Sequence, residues 1–219
     1  MKTKDRIILA SRELFNEHGE RAITTNHIAA HLGISPGNLY YHFRNKEEII
    51  RCIYKEYENY IVEAFRPLDV ENESDLEFLV RYLDGMFQAM WRFRFFYANL
   101  TDILTRDKEL HQRYLEVHRR MTEVAANNLR LLRDNGTVVV EDKYIEDLAQ
   151  TLKQIVTCWI SYRNAQMLES SITKREIYKG VLRVLITFRG IVSEAAMPEF
   201  DRIERQYREL YDSLGGEPT

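Results

Sequence analysis

G-I-S-P-G-N-L-Y-Y-H-F, residues Gly33 to Phe43, is the stretch on which the reading of this chain turns. Ser35 is an N-cap residue type, and Pro36 follows at the first helical position, where a missing N–H is no loss, so a helix begins here. Barely two turns later Arg44-Asn45-Lys46-Glu47 opens another helix. A helix that short is marginal in water, so its neighbours must hold it in place. Leu39 and Phe43, four residues apart on one face, are the natural anchors; Asn38, Tyr40, Tyr41 and His42 would then project outward.

Upstream, the apolar spacing predicts a helix from Thr3 to His18, stopped at Gly19, and a second from Thr24 or Thr25 to Gly33. Gly33-Ile34-Ser35 is then the short glycine-containing turn of a helix-turn-helix, whose second helix lies in the major groove of DNA. The outward side chains suit a duplex. Asn bonds adenine bidentately, aromatic edges touch a thymine methyl, and Tyr or His donates to phosphate. Gly37 leaves room for close backbone approach, and the N-termini at Pro36 and Lys46 offer free N–H groups to phosphate.

Downstream the pattern stays helical. Asn45 and Glu48 form an N-x-x-E capping box for a helix running to about Phe65. Pro67 and the acidic residues after it make a bend, and Ser74 caps the next helix. Further helical segments are predicted over Phe95–Thr105, Asp107–Asp134, Glu141–Leu168, Thr173–Ser193 and Pro198–Leu214, with Val138-Val139-Val140 as a connector or a scrap of strand. The predicted fold is all-α: an N-terminal three-helix helix-turn-helix domain at residues 1–47, and a larger helical domain at 48–219 that ends in a further C-terminal helix.

Composition agrees with this picture. Of 219 residues, 45% are hydrophobic and 30% charged, while only nine are Gly and four Pro, so long uninterrupted helices around a real core are expected. Net charge is −3, yet Lys and Arg outnumber Asp and Glu over residues 1–55 and are outnumbered thereafter. A basic module on an acidic body suggests polyanion contact. No apolar run approaches a membrane span, Arg12 and Glu13 interrupt any leader-like segment, and Cys52 and Cys158 read as reduced core thiols, so a cytoplasmic protein without membrane partners is expected.

The run T-T-N-H-I-A-A-H-L-G-I-S-P-G-N-L-Y-Y-H-F-R-N-K-E-E-I-I, preceded by A-S-R-E-L-F-N-E-H-G, resembles the DNA-binding signature of the tetracycline-repressor (TetR) family of bacterial regulators. The match covers residues 5–55 without a gap. The resemblance implies a phosphate contact at Thr25, base-facing positions at Ser35, Pro36, Gly37, Asn38 and Tyr41, and phosphate contacts at Tyr40, His42 and Lys46. Asn26 stands where some members place a guanine-reading Arg. It also implies double-stranded DNA, an unidentified small-molecule effector and a second copy of the chain as partners, and no cofactor.

One short helix reads few bases, so a two-fold axis that doubles the footprint is expected. The interface candidates are Ile155, Trp159 and Tyr162, then Val181, Val184, Leu185 and Phe188, on two helices apolar round most of their circumference. An effector pocket is expected near Met86, Met90, Trp91 and Tyr97, with His118, Met121 and Trp159, and its aromatic and thioether groups suit an amphipathic or apolar molecule. Catalysis is not expected. No His has a Glu three residues before it, as di-iron bundles need, and there is no H-E-x-x-H, P-loop, G-x-G-x-x-G or G-x-S-x-G. His27 and His31 share a helical face without a third ligand and are expected on the surface.

Overall fold

A computed structural model of the chain describes residues 2–69, 71–167 and 172–215. Among these, eleven helices follow one another: α1 (Thr3–His18), α2 (Thr25–Leu32), α3 (Pro36–His42), α4 (Lys46–Ala64), α5 (Asp75–Arg92), α6 (Arg94–Ala98), α7 (Leu100–Arg106), α8 (Lys108–Asp134), α9 (Asp142–Gln166), α10 (Lys174–Arg189) and α11 (Met197–Ser213). The fold is all-α, as the periodicity indicates. The only pairing of extended backbone among the described residues is the isolated bridge Val138–Val192.

That bridge explains one correction. The predicted helix from Thr173 was carried to Ser193, but α10 stops at Arg189 because Ile191 to Ser193 bond the connector instead. Val139 N donates to Ile191 O, and Ser193 N to Thr137 O. The predicted end of α9 at Leu168 lies outside the described residues.

The N-terminal helices pack as their apolar spacing requires. Ile7, Ala10, Leu14 and Phe15 of α1 are buried, α2 contributes Ile28 and Ala29, and α4 adds Ile49, Ile50 and Ile53. The division at 47/48 therefore falls in the first turn of α4, a helix whose apolar face continues from one end of the molecule into the other. In the body α8 packs on α9, α9 on α10, and α10 on α5. The extra helix α11 buries Phe200, Ile203 and Tyr207 against the body, and the Tyr207 hydroxyl donates to Asp84 at 2.5 Å. The first half of its apolar stripe is thus covered by the body, while Leu210 near its end stays exposed.

The two ends are sewn together by polar groups. Glu20, fully buried, lies 2.8 Å from both Lys46 Nζ and an Arg106 guanidinium nitrogen. Asn16 donates to Arg92 O and accepts from Phe95 N, while Arg12 pairs with Glu56 and Arg21 with Asp102. Arg51 of α4 bonds Asp107, the residue that caps α8, at 2.6 Å. Removing one partner of a buried ion pair is far costlier than the pair's net contribution, so these contacts fix the docking angle of α1–α3.

Gly180 on α10 lies hard against the Trp159 indole of α9. A Cβ there would sit 2.7 Å from Trp159 Cδ1, and the indole cannot swing aside easily because its N–H donates to Glu176 O at 2.8 Å. Gly180→Ala is expected to lower stability by about 1–3 kcal/mol, as overpacking does. Denaturant titration of the variant against the wild type checks this; an unchanged midpoint would contradict the close contact.

Candidate nucleic-acid interface and effector cavity

The turn between α2 and α3 is built by local chemistry. Thr24 Oγ1 accepts from His27 N, and His27 Nδ1 accepts from Thr24 N in return, so the imidazole completes a capping box that the sequence does not advertise. Gly33 closes α2 at φ 64°, a left-handed conformation open to glycine. Ser35 Oγ then accepts from Asn38 N and Pro36 leads α3. Asn45 Oδ1 accepts from Glu48 N, as expected, but the Glu48 carboxylate reaches Arg44 N, one residue earlier than a capping box would have it.

Leu39 and Phe43 are buried, and the opposite face of α3 is bare. Tyr41 is 84% exposed and Tyr40 49%. Ser35, Pro36, Gly37 and Asn38 are exposed beside them, Asn26 is exposed on α2, and His42 is half-buried with its ring edge against Tyr41. Thr25 Oγ1 and Tyr40 OH lie 3.0 Å apart, which holds two hydroxyls from different helices in one place. The structure thus brings nine of the ten expected DNA contacts onto or at the rim of one face.

Lys46 is the tenth, and it sits differently. Its ammonium turns inward to Glu20 O at 2.9 Å, Ile23 O at 3.2 Å and the Glu20 carboxylate. The expectation of a free cation here is corrected: Lys46 is a staple of the N-terminal domain, because a buried carboxylate nearby outbids solvent for it. The exposed cations on this end include Lys2, Lys4, Arg6 and Arg44, with Arg21 paired to Asp102. His27 and His31 are exposed as expected.

A cavity lies in the body among α4, α5, α8, α9 and α10, and water-sized spheres can place their centres in about 100 Å³ of it. Of the expected pocket residues, Met86, Tyr97, His118 and Met121 line it. Met90, Trp91 and Trp159 do not, and those three are corrected. Met90 is packed solid in the core, Trp91 lies under Arg94 and Lys174, and Trp159 is wedged against Gly180. Sequence reasoning missed Tyr57, Asn128 and Lys153. The i, i+4, i+8 apolar spacing of Ile53, Tyr57 and Ile61 was a usable signal for the first; two polar residues on amphipathic helices gave none for the others.

Polar groups gather at one end of the cavity. Tyr57 OH lies 3.2 Å from His118 Nε2 and 3.4 Å from Tyr97 OH. Burial pushes both phenols up, so they stay protonated, and burial with Lys153 alongside pushes His118 down to about 3. Burial lowers Lys153 too.

The interface expectation is corrected in four of its seven residues. Val181, Val184, Leu185 and Phe188 are buried within their own protomer. The outer side of the α9–α10 pair instead presents a shallow groove over Ile155, Cys158, Tyr162, Arg183 and Ile186, with Trp159 at its floor; Tyr162 is 56% and Ile186 50% exposed. Cys158 is thus exposed and not a core thiol, while Cys52 is half-buried.

A helix-turn-helix face joined to a helical body with an internal apolar cavity defines a class: DNA-binding regulators that sense small molecules. Comparison gives the class its family. Residues 7–53 match the model of "bacterial regulatory proteins, tetR family", and residues 56–200 match the TetR model described as "bacterial transcriptional repressor". A TetR-family transcriptional regulator from Marinobacter aquaeolei superposes with a TM-score of 0.84 at 34% identity, over 94% of this chain and 99% of that one. The Escherichia coli regulator UidR is 25% identical over 136 residues, 62% of this chain and 69% of its own. The Staphylococcus epidermidis regulator IcaR, named as a negative regulator of the icaADBC biofilm operon, is 33% identical over 42% of this chain and 45% of its own. The chain belongs to the TetR family of bacterial transcriptional regulators and is a regulator, not an enzyme. No described helix is long and apolar enough to cross a membrane.

Two predictions follow from these geometries. Asn38→Ala is expected to reduce discrimination between a selected operator and an altered one by about 1–3 kcal/mol, whereas Tyr40→Phe weakens both duplexes equally; titration of labelled duplexes separates the two, and equal losses for Asn38→Ala would contradict a base contact.

The second concerns acid. Because His118 stays neutral in the folded state until about pH 3 while the unfolded chain takes up its proton near 6.5, stability falls as pH drops below 6.5. Arg81 and Arg21 hold Glu73 and Asp102 below the usual carboxylate range, so their contribution is lost only at lower pH. Between pH 6.5 and 5 the wild type should lose roughly 1–2 kcal/mol more than His118→Gln, measured by denaturant melts; parallel curves would contradict it.

Proposed function

We propose that two copies of this chain bind a two-fold symmetric operator through α3 and repress transcription, and that a small apolar or amphipathic molecule in the cavity releases them. In this reading residues 1–47 are the reader and residues 48–219 the effector-binding and dimerisation body. Asn26, Ser35, Pro36, Gly37, Asn38 and Tyr41 face bases; Thr25, Tyr40 and His42 bond phosphate; at Lys46 the helix N-terminus of α4, not the ammonium, serves phosphate.

The observation that carries the proposal is the span of α4. Its first half buries Ile49, Ile50 and Ile53 with the core beneath the reader, and its second half puts Tyr57, Ile61 and Phe65 into the cavity wall. A ligand that prefers one tilt of α4 therefore prefers one placement of α3. Arg51, which ties α4 to the cap of α8, and Glu20, which ties the reader to Arg106, carry the same displacement. A differential affinity of about 1–3 kcal/mol changes DNA affinity roughly 5- to 150-fold. Repression is favoured by the naming of IcaR as a negative regulator.

The second copy is placed on the outer groove of α9 and α10, where Ile155, Tyr162 and Ile186 offer apolar area beside Arg183. Ile186→Glu buries a charge in that contact and is expected to give monomers in sedimentation, with DNA affinity reduced at least tenfold and the fold intact by circular dichroism. A variant that remains dimeric would move the interface elsewhere; a monomer that binds DNA undiminished would sink the two-fold reading.

A further inference from the structure

Two buried side-chain nitrogens in the cavity wall have no partner, and both belong to α8. Asn128 is 3% exposed; its Oδ1 accepts from Leu68 N at 3.0 Å, which fixes the amide orientation and leaves Nδ2 unbonded. His118 is 8% exposed; in the tautomer whose Nε2 accepts from Tyr57 OH, the ring proton sits on Nδ1, which has no partner. Buried polar groups are almost always satisfied, so two orphans in one cavity wall ask for a ligand that supplies acceptors.

Lys153 sits at the His118 end. Its ammonium donates to His118 O and Thr122 Oγ1, both at 2.9 Å, which leaves one N–H. Among the described residues no carboxylate pairs with it, and it lines the cavity. Tyr57, Tyr97 and His118 around it are neutral at ordinary pH, so the Lys153 ammonium, which burial disfavours, has no counter-ion at this end among the described residues. Between the ends the wall is apolar: Leu83, Met86, Leu129 and Leu185.

Length narrows the class further. Ten residues of helix separate His118 from Asn128, a rise of about 15 Å. An aliphatic wall between two polar ends that far apart suits an alkyl chain.

We propose that the cavity binds an unbranched aliphatic carboxylic acid, with its carboxylate at Lys153 and His118 Nδ1 and an oxygen acceptor at its far end facing Asn128 Nδ2. This rests on reading the cavity as the effector site. A dodecyl chain matches the span of about 15 Å, so the probes are dodecanol, dodecanoic acid and the monomethyl ester of dodecanedioic acid.

Calorimetry on the full chain, below micelle-forming concentrations, is expected to show the acid binding at least tenfold tighter than the alcohol, and the ester-tipped acid tighter again. Lys153→Met, and Lys153→Gln as a variant that keeps a donor, should erase the acid's advantage while dodecanol still binds. Asn128→Asp keeps an oxygen for Leu68 N and should erase the gain from the ester. Equal binding of acid and alcohol, an acid preference that survives both Lys153 variants, or no binding of any probe overturns the proposal. Tight binding of the acid that leaves the affinity for DNA unchanged supports the ligand class and instead overturns the reading of the cavity as the effector site.

Discussion

Burial of Leu39 and Phe43 is the contact on which the rest depends. A seven-residue helix has too few internal hydrogen bonds to persist in water, and α3 exists because these two side chains are pinned against the N-terminal core. Once they are pinned, the remaining side chains of α3 have nowhere to go but outward, and Tyr41 is left almost wholly in solvent. An aromatic ring exposed to that degree is poorly placed for stability and well placed for a base edge. The helix adds little to the core beyond Leu39 and the Phe43 that caps it, and the rest of it faces solvent.

The same core reaches the rest of the molecule through α4. The chain runs from the N-terminal core to the cavity wall along α4 without a linker. The buried Glu20, held between Lys46 and Arg106, stiffens this joint further. In the proposed switch, such a joint would pass small changes in the cavity wall on to α3. The price of that stiffness is a carboxylate in the core whose two cationic partners must both stay in place.

Much of this was legible in the sequence, and the boundary of legibility is physical. Local rules govern caps and turns, so Ser35, Pro36, Gly33 and Asn45 announced the helix-turn-helix, and four-residue spacing found Leu39 and Phe43. Faces of α9 and α10 were not legible. Both helices are apolar on more than one side, and periodicity alone does not say which side meets its own protomer; Val181, Val184, Leu185 and Phe188 turned inward, leaving Tyr162 and Ile186 outside. Lys46 misled for a related reason. A lysine at a helix N-terminus looks free until the fold brings Glu20, 26 residues earlier, beneath it. The cavity is the hardest case, since it is defined by atoms that are missing: Trp91 and Met90 are large enough to fill a pocket and do fill the core, whereas Asn128 and Lys153 look like surface residues until α8 and α9 pack.

Selection and sequencing of the fragments that the purified protein retains from its own genome tests the central claim most directly. The account predicts one enriched inverted repeat whose half-site centres are about 34–36 Å apart along the duplex, or a multiple of that. Recovery of fragments with no shared sequence, or of a single unrepeated site, would contradict it.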